Sequence, residues 1–275
     1  MQEPGSGPVP LRVPGVHSPL AIFVHDERDR HVSRQLRESG IWEPYESRLL
    51  LDSLQPGAVF LDVGANLGYF SLLAADRVGP AGKVVAIEPD PANFLLLQRS
   101  IVHNGLNAII KPHRVALSDR DEAASLYLSE DNFGDHQVFA TGESRQSVPV
   151  NLCRGADLLG GLGVRLDLVK IDTQGSEYGV VAGLLPLLVR CRPRLIVELT
   201  PLSLRQCGSS GRALIELLAT LLLPFWIVDH IEHRLVASSA EELALWCDNV
   251  DAVPGDAGFM NILVGAAPGE AVPHP

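Results

Sequence analysis

The chain has 275 residues, of which 22 are lysine or arginine and 33 are aspartate or glutamate, so its net charge is −11. Hydrophobic residues make up 46% of the sequence, which is enough for the core of one large α/β domain or two small ones. Such an acidic chain offers no general electrostatic surface for nucleic acid or anionic lipid. We therefore expect no nucleic acid partner.

The sequence also argues against export and against a membrane span. The amino-terminal segment lacks the basic stretch and apolar core of a signal peptide. The longest apolar run, 213–228, is short and is interrupted by Glu216 and Pro224, so it cannot cross a bilayer. The four cysteines have no CxxC spacing, which is typical of reduced thiols. We expect a cytoplasmic protein with no membrane partner.

In chain order, the pattern predicts two flexible ends around an alternating α/β region. Residues 1–20 are rich in proline and glycine and predict a disordered arm, as do residues 266–275, while 21–56 predict a helical cap. Strands are predicted at 59–63, 83–87, 113–117, 123–128, 148–152, 166–171, 194–199, 225–229, 231–237 and 259–264, and helices at 29–39, 44–54, 67–78, from 91, at 212–223 and at 239–247. This alternation predicts a mostly parallel sheet with helices on both faces and an antiparallel pair at its edge.

The most informative stretch follows the first strand of this region. Gly64 and Gly68 lie in the predicted turn between a buried strand and a helix, where glycine lets the backbone approach a ligand closely. Glu88 ends the next strand, 20 residues beyond Gly68, and its carboxylate can accept both hydroxyls of a ribose. Asp62 precedes the turn and Asn66 lies within it. The pattern predicts a nucleoside-containing ligand at the carboxyl ends of the strands.

Two classes of cofactor use this arrangement, NAD and S-adenosylmethionine. A dinucleotide site prefers G-x-G-x-x-G with the pyrophosphate on the helix amino terminus, and here Asn66 replaces the middle glycine. Asp62 beside the turn would repel a pyrophosphate but suits a cation. S-adenosylmethionine carries an ammonium and a sulfonium, so the charge pattern favours it.

Together with this turn, five further motifs carry a resemblance to a known family. They are GIWEPYE at 40–46, IEPD at 87–90, ALSD at 116–119, DNFGDH at 131–136 and KIDTQGSE at 170–177. Over about residues 30–265 the sequence resembles the FkbM-type S-adenosylmethionine-dependent methyltransferases. The resemblance implies a class I methyltransferase domain over 57–265, an α/β Rossmann-like fold with a seven-stranded, mostly parallel sheet and an antiparallel last strand. It also implies O-methylation of a hydroxyl on a sugar, a polyketide or another secondary metabolite.

The same resemblance implies which residues contact the cofactor. The residues that would line its methionine end are Asp62, Gly64, Asn66 and Gly68. Glu46, on the preceding helix, would pair with the ammonium, and Glu88 would bind the ribose. Ala116 and Ser118, after the third strand, would meet the adenine.

Methyl transfer to a hydroxyl needs an acceptor oxygen held close to the methyl group and a route for its proton. His136, in the polar segment 131–136, is the first candidate for the base. Asp172 ends an apolar strand, where a side chain points into the ligand crevice, and it is a candidate for orientation, base or metal ligand. With Glu198 and Asn261, Asp172 predicts an oxygen-rich Mg²⁺ site, so metal dependence stays open.

Three alternatives to this function remain at this stage. The first is N-methylation or carboxyl methylation of a similar acceptor, the second is an NAD-dependent dehydrogenase, and the third is a non-catalytic protein that binds S-adenosylmethionine. The acceptor pocket is expected to come from the segments 129–147 and 201–211, which do not identify the acceptor. The leucine-rich helix at 212–223 is explained equally by burial in the core or in a homodimer interface.

Overall fold

The structure, a computed structural model, describes residues 7–140, 145–160 and 165–270. Its strands are β1 (Val9–Pro10), β2 (Ala21–Ile22), β3 (Val59–Val63), β4 (Lys83–Ile87), β5 (Ile110–His113), β6 (Ala116–Ser118), β7 (Glu122–Tyr127), β8 (Ser147–Arg154), β9 (Leu168–Ile171), β10 (Arg194–Leu199), β11 (Phe225–Asp229), β12 (Arg234–Ser238) and β13 (Met260–Val264). Its helices are α1 (Val32–Ser39), α2 (Pro44–Ser53), α3 (Tyr69–Val78), α4 (Pro91–His103), α5 (Gly155–Gly160), α6 (Glu177–Cys191), α7 (Pro201–Gln206), α8 (Gly211–Ala219) and α9 (Ala240–Ala252).

One large sheet organises the molecule. Within the described ranges its strand order is β12-β11-β13-β10-β9-β3-β4-β5. Neighbours from β10 through β9 and β3 to β5 pair in parallel, whereas β13 pairs antiparallel with both β10 and β11. This order confirms the predicted class I methyltransferase fold. The sheet has eight strands instead of the expected seven, because β12 adds an antiparallel edge strand to β11.

The continuous apolar sequence of β3 results from burial on both faces of the sheet. Phe60 packs in a cluster with Leu72 of α3 and Leu97 of α4. Its neighbour Leu61 packs in a second cluster on the opposite face, with Val180 of α6. A strand whose successive side chains enter two different cores cannot show a polar alternation.

The predicted disorder of residues 7–20 is wrong. β1 and β2 pair antiparallel, and Leu11 N–H donates to Leu20 O at 2.8 Å. Val13 and Leu20 are buried in the first cluster, and His17 N–H donates to Asp76 Oδ2 at 2.8 Å. Proline supplies the extended conformation of this hairpin, and the buried apolar side chains hold it on the domain. Residues 1–6 lie outside the described residues.

The carboxyl-terminal segment from 266 to 270 is also ordered, which corrects the second predicted tail. Ala266 is buried, and Arg194 Nε donates to its carbonyl oxygen at 2.7 Å. Arg194 Nη2 donates to Glu270 O at 3.1 Å. The backbone carbonyls of this segment are therefore partly satisfied by a side chain from β10. Residues 271–275 lie outside the described residues.

Two further expectations change with the structure. The strand predicted at 113–117 is divided, because β5 ends in the large sheet and β6 belongs to a separate sheet of order β6-β8-β7. The apolar side of α8 is buried in the second cluster through Leu214, Ile215 and Leu218, so this helix is explained by the core of the chain and gives no argument for a dimer. Among the described helices, none has the length and apolar composition that a membrane span requires.

Candidate active site

A cavity of about 420 Å³ lies at the carboxyl ends of the parallel strands. Its walls come from the ends of β3, β4, β9 and β10, from the segment that leads into α2, and from the segment 132–138. The carboxyl ends of parallel strands meet at one edge of a sheet, so residues far apart in sequence converge there. Of the two segments expected to shape an acceptor pocket, 129–147 contributes to this lining, with residues 141–144 outside the described residues. The described lining includes no residue from 201–211.

The glycine turn forms one wall of the cavity. Gly64 has φ +84°, and a methyl group on it would overlap the carbonyl oxygen of Asp172. Asn66 also has a left-handed backbone, with φ +51°, and its N–H donates to Glu88 Oε2 at 2.8 Å. Gly64, Asn66 and Glu88 all line the cavity, as expected from the sequence. The turn and the end of β4 are thus tied together at the ligand wall.

Glu88 is only 5% exposed, yet it lines the cavity. Its Oε1 accepts from Asp90 N–H at 2.9 Å, and its Oε2 accepts from the N–H of Asn66. Burial raises the pKa of Glu88 to about 8, although these backbone donors favour the ionised form. Each oxygen keeps a further lone pair, so the carboxyl group can still accept a ligand hydroxyl.

Three of the predicted cofactor residues lie behind the wall. Asp62 is buried and accepts from Ser71 Oγ at 2.6 Å, and burial raises its pKa to about 6. Gly68 has φ +91° at the start of α3, where a side chain would overlap Leu97. Ser118 Oγ donates to Oδ1 of Asp119, the next residue, at 3.2 Å. These residues support the wall without lining it, whereas Ala116 does line the cavity, as expected.

Glu46, the residue expected to pair with the cofactor ammonium, lies outside the cavity lining. Glu46 is buried, accepts from Asn261 Nδ2 at 3.3 Å and does not line the cavity. Glu43, one residue before α2, does line it. Its Oε2 is buried and has no hydrogen-bond partner among the described residues. Burial raises the pKa of Glu43 to about 7. Glu46 faces Asn261 of β13, so the structure does not place it to contact a ligand in the cavity, whereas Glu43 is placed there.

A polar cluster of the buried Lys170 and three half-buried side chains occupies the ends of β9 and β10. Lys170 Nζ donates to Asp172 Oδ2 at 2.7 Å, and Gln174 Nε2 donates to Asp172 Oδ1 at 2.9 Å and to Glu198 Oε2 at 3.0 Å. Despite its burial, Asp172 has a lowered pKa, because Lys170 and Gln174 stabilise its ionised form. Glu198 has a pKa well above the usual range because of burial and the nearby charge of Asp172. All four side chains line the cavity.

The predicted Mg²⁺ site is not supported by this arrangement. Asp172 and Glu198 are brought together at adjacent strand ends, as expected, but Lys170 and Gln174 already donate to their oxygens. Asn261 is the register partner of Glu198, yet its side-chain amide donates to a glutamate of α2. The described part of the chain contains no group of three or more His, Cys, Asp or Glu side chains arranged to hold a metal ion.

His136 lines the cavity, but its geometry does not suit the base predicted for it. Ser129 N–H donates to His136 Nδ1 at 3.0 Å, so Nδ1 uses its lone pair in this bond. In the neutral ring the proton is therefore on Nε2, which can donate but cannot accept. Burial also lowers the pKa of His136. Its chemistry here is that of a neutral hydrogen-bond donor.

Two residues that sequence reasoning missed, Glu43 and Gln174, share a backbone feature with Asn66. All three have positive φ, at +43°, +53° and +51°, although none is glycine. Left-handed backbone at non-glycine residues is uncommon and concentrates at ligand sites. No pattern of residue types announces this conformation. Pro44 favours an extended backbone at Glu43 and so gives no signal of its left-handed conformation.

A family model and several known proteins match parts of the chain. Residues 62–225, more than half of the chain, match the family model described as Methyltransferase FkbM domain. Methyltransferase 1 of Beauveria bassiana is 26% identical over 144 residues, which are 45% of this chain and 57% of that protein. AMB antimetabolite synthetase AmbE of Pseudomonas aeruginosa is 28% identical over 166 residues, which are 48% of this chain and 8% of that protein.

Among solved structures, a methyltransferase FkbM from Methylobacillus flagellatus has a TM-score of 0.46 and 13% identity, covering 77% of this chain and 44% of that chain. The chain spans little more than half of the first curated relative and a small part of the second. The match to the family model extends from the end of β3 to the start of β11, and so includes the glycine turn and the polar cluster. The chain therefore belongs to the FkbM family of S-adenosylmethionine-dependent methyltransferases.

Proposed function

We propose that this methyltransferase transfers a methyl group from S-adenosylmethionine to a hydroxyl oxygen of a small molecule, such as a sugar, a polyketide or another secondary metabolite. The observation that carries the proposal is the single cavity that joins two different walls. One wall holds the glycine turn and Glu88, and the other holds the polar cluster of Lys170 and Asp172. A volume of about 420 Å³ is in the range of small-molecule sites.

The residues of the first wall fit the cofactor. Gly64 presents backbone without a side chain, and Asn66, with its left-handed backbone, lines the cavity beside it. Glu88 would accept from the ribose hydroxyls, and Ala116 would leave room for the adenine. When bound, S-adenosylmethionine supplies an electrophilic methyl carbon whose bond to sulfur breaks with the electron pair left on sulfur.

The second wall is suited to an acceptor that forms hydrogen bonds. Asp172, ionised and held by Lys170 and Gln174, would orient an acceptor hydroxyl through an oxygen lone pair. His136 would donate from Nε2 to a neighbouring acceptor oxygen. Orientation of this kind contributes much of the rate in a displacement at carbon. The similarity to part of an antimetabolite synthetase supports a secondary metabolite as the acceptor.

The charges of the cavity do not favour the dinucleotide alternative. Glu43, Glu88, Asp172 and Glu198 line it, its described lining includes no arginine, and Lys170 is already paired with Asp172. The carboxylates would repel a pyrophosphate, and the described lining offers no unpaired lysine or arginine to neutralise it. The same polarity and the net charge of −11 support a small-molecule acceptor in place of a nucleic acid.

The test begins with isothermal titration calorimetry of S-adenosylhomocysteine, with NAD in parallel and with or without Mg²⁺. We expect micromolar binding of S-adenosylhomocysteine, no binding of NAD and no effect of Mg²⁺. Transfer from methyl-labelled S-adenosylmethionine is then measured on matched acceptors that differ only in carrying a hydroxyl, an amine or a carboxyl group. Labelling of the hydroxyl acceptor, stable to alkali, supports O-methylation of an alcohol.

Each contrary result points to one of the alternatives. Preferred labelling of the amine or of the carboxyl acceptor would replace the hydroxyl by that group, and a methyl ester is recognised by its loss in alkali. Tight cofactor binding with no transfer to any acceptor class would indicate a non-catalytic binding protein. Absence of S-adenosylhomocysteine binding would overturn the assignment of the first wall.

A further inference from the structure

We propose that Glu43 is the catalytic base that takes the proton of the acceptor hydroxyl, and that its Oε2 is the receiving atom. The proposal rests on the proposed transfer to a hydroxyl. Its starting point is one atom of a residue that lines the cavity, because Glu43 Oε2 is buried and has no hydrogen-bond partner among the described residues. Leaving a buried carboxylate oxygen without a hydrogen-bond partner costs free energy, which indicates that a ligand supplies the missing hydrogen bond.

The backbone holds Glu43 in the cavity at the cost of strain. Glu43 has φ +43° and ψ +72°, immediately before Pro44 begins α2. Glutamate rarely adopts this left-handed conformation, and it is retained where packing enforces it. Trp42 and Pro44, on either side, also line the cavity, so the whole turn faces the ligand space. The conformation presents the side chain of Glu43 to the cavity, whereas Glu46 packs toward Asn261.

His136 and the other carboxyl groups of the cavity are engaged in hydrogen bonds. His136 Nδ1 accepts from a backbone N–H, so the ring has no free lone pair. Asp172 is bound by an ammonium and an amide, which lower its pKa and make it a weak base. Glu198 has a pKa raised well above its usual range by burial and by the charge of Asp172, and its Oε2 already accepts from Gln174. Glu88 accepts two backbone N–H groups at the opposite wall. Among the described carboxyl groups of the cavity, only Glu43 has a buried oxygen without a hydrogen-bond partner.

The charges around Glu43 suit a base that works near neutral pH. Burial raises its pKa to about 7, and the negative charges of Asp172 and Glu46 add to this effect. Lys170, at the end of β9, acts in the opposite direction and stabilises the ionised form. Glu198 also faces this group, since Glu43 contributes to raising its pKa. A base with a pKa near the working pH combines a sufficient ionised fraction with sufficient proton affinity.

The step is balanced within the cavity. A lone pair of the hydroxyl oxygen forms the new bond to the methyl carbon, and the sulfur keeps the pair of the broken bond. The hydroxyl proton passes to Glu43 Oε2, which becomes a neutral carboxylic acid. The products are a methyl ether, S-adenosylhomocysteine and protonated Glu43, which then loses its proton to water. No metal ion or further reactant is required.

The main competing role for Glu43 is a pair with the ammonium of the cofactor. Both roles use the same carboxylate, but they differ in what the cofactor does to it. If Glu43 paired with the ammonium, it would be ionised in the complex. Glu43 would then release a proton when the cofactor binds near pH 7. A base facing the acceptor would keep its pKa near 7 in the complex with S-adenosylhomocysteine, with little proton release.

The experiment compares the full-length wild type with Glu43→Gln, Glu43→Asp and a matched control, Glu27→Gln, whose residue is exposed. Calorimetry of S-adenosylhomocysteine in buffers of different ionisation enthalpy gives the affinity and the number of protons released at pH 7. Carbon-13 spectra of protein labelled at the glutamate carboxyl give the titration of Glu43, assigned by the signal that Glu43→Gln removes. Turnover is measured with the acceptor that the hydroxyl series identifies.

We expect Glu43→Gln to bind S-adenosylhomocysteine within threefold of wild type, with proton release near zero in both. Its kcat should fall at least 100-fold, and Glu43→Asp should restore part of the loss and keep an acid limb near pH 7 in the pH profile. The Glu43 signal should titrate near pH 7 with S-adenosylhomocysteine bound. Glu27→Gln should match wild type throughout.

Other outcomes overturn the proposal in distinguishable ways. A tenfold or greater loss of S-adenosylhomocysteine affinity in Glu43→Gln, together with proton release that this variant abolishes, would make Glu43 the ammonium partner and leave the proposed methyl transfer intact. An unchanged kcat in Glu43→Gln would also remove Glu43 as the base. Failure of the wild type to bind S-adenosylhomocysteine would overturn the proposed function itself, and this proposal with it.

Discussion

Lys170 Nζ lies 2.7 Å from Asp172 Oδ2, two residues apart at the end of β9. The side chain of Lys170 is 7% exposed and that of Asp172 is 27% exposed, so water screens this ion pair only partly. The ammonium also lies 4.7 Å from the centre of the Phe70 ring. This ion pair holds the Asp172 carboxylate at the cavity wall, and the Lys170 ammonium compensates its negative charge.

Replacement of Lys170 should reveal how much the protein depends on this pair. Lys170→Met keeps the volume of the side chain but leaves Asp172 without its cation, and breaking a buried pair in this way costs about 3 kcal/mol of unfolding free energy. Urea denaturation followed by circular dichroism measures the change. The control is Arg34→Met, which removes an exposed ion pair with Glu38 and should leave the midpoint nearly unchanged. Equal midpoints for the two variants would contradict a structural role for Lys170.

Much of the sheet and one wall of the site could be predicted because local sequence determines them. β3, β4, β10 and β11 have the predicted bounds, since short apolar runs buried on both faces leave little choice of structure. Asp90 accepts from the N–H groups of Ala92 and Asn93 as the predicted cap of α4. Glu88 reaches the cavity because it follows a parallel strand, and all such strands end at the same edge.

The rest of the site depends on contacts between distant segments. Glu43 and Glu46 lie three residues apart at the start of one helix. Glu46 accepts a hydrogen bond from Asn261 only because β13 lies next to it in the fold. Similarly, His136 loses its basic lone pair to the backbone of Ser129. The order of residues 7–20 arises from pairing with β2 and from burial, which outweigh the proline content. Composition and motif spacing contain none of these contacts.

The tautomer of His136 is a direct test of the corrected role. Because Ser129 N–H donates to Nδ1, we expect a neutral ring with its proton on Nε2 at pH 7. Long-range proton–nitrogen correlation spectra distinguish this form from the Nδ1–H form and from imidazolium. The pKa read from the same spectra should lie below the ordinary value of 6.5. The signal is assigned with His136→Asn, and the exposed His17 serves as a reference. A ring protonated on Nδ1 at pH 7 would restore His136 as a candidate base.

The contribution of Glu88 to the cofactor wall is measured by binding. Glu88→Ala removes the acceptor expected for the ribose hydroxyls and for the N–H groups of Asn66 and Asp90, and a buried polar group left without its hydrogen bond costs about 1–3 kcal/mol. The affinity for S-adenosylhomocysteine should therefore fall by roughly 10- to 100-fold in calorimetry. Glu27→Ala, at an exposed site, is the control and should bind as wild type. Unchanged affinity of a folded Glu88→Ala protein would refute this placement of the ribose.

The carboxyl groups buried at the cavity also predict how stability changes with pH when no ligand is bound. Burial raises the pKa of Glu88 from its ordinary value of 4.5 to about 8, and it raises the pKa of Asp62 and Glu43 in the same direction. The folded chain thus holds these protons more tightly than the unfolded chain. As pH rises above 4.5, the unfolded state releases them first, so the free energy of unfolding should decrease up to about pH 8.

Glu88→Gln isolates the largest of these contributions, because glutamine does not titrate. Between pH 5 and pH 8 the unfolding free energy of both proteins should decrease. The decrease in Glu88→Gln should be smaller than the decrease in wild type by about 1 to 3 kcal/mol. Urea denaturation at half-unit intervals of pH measures the slope of the unfolding free energy against pH. The slope is compared, and not the absolute stability, because glutamine also loses one of the two oxygens that accept from Asn66 and Asp90. Glu27→Gln should keep the wild-type slope. If Glu88→Gln kept it as well, Glu88 would be ionised in the folded chain and its burial at the cavity wall would be incomplete.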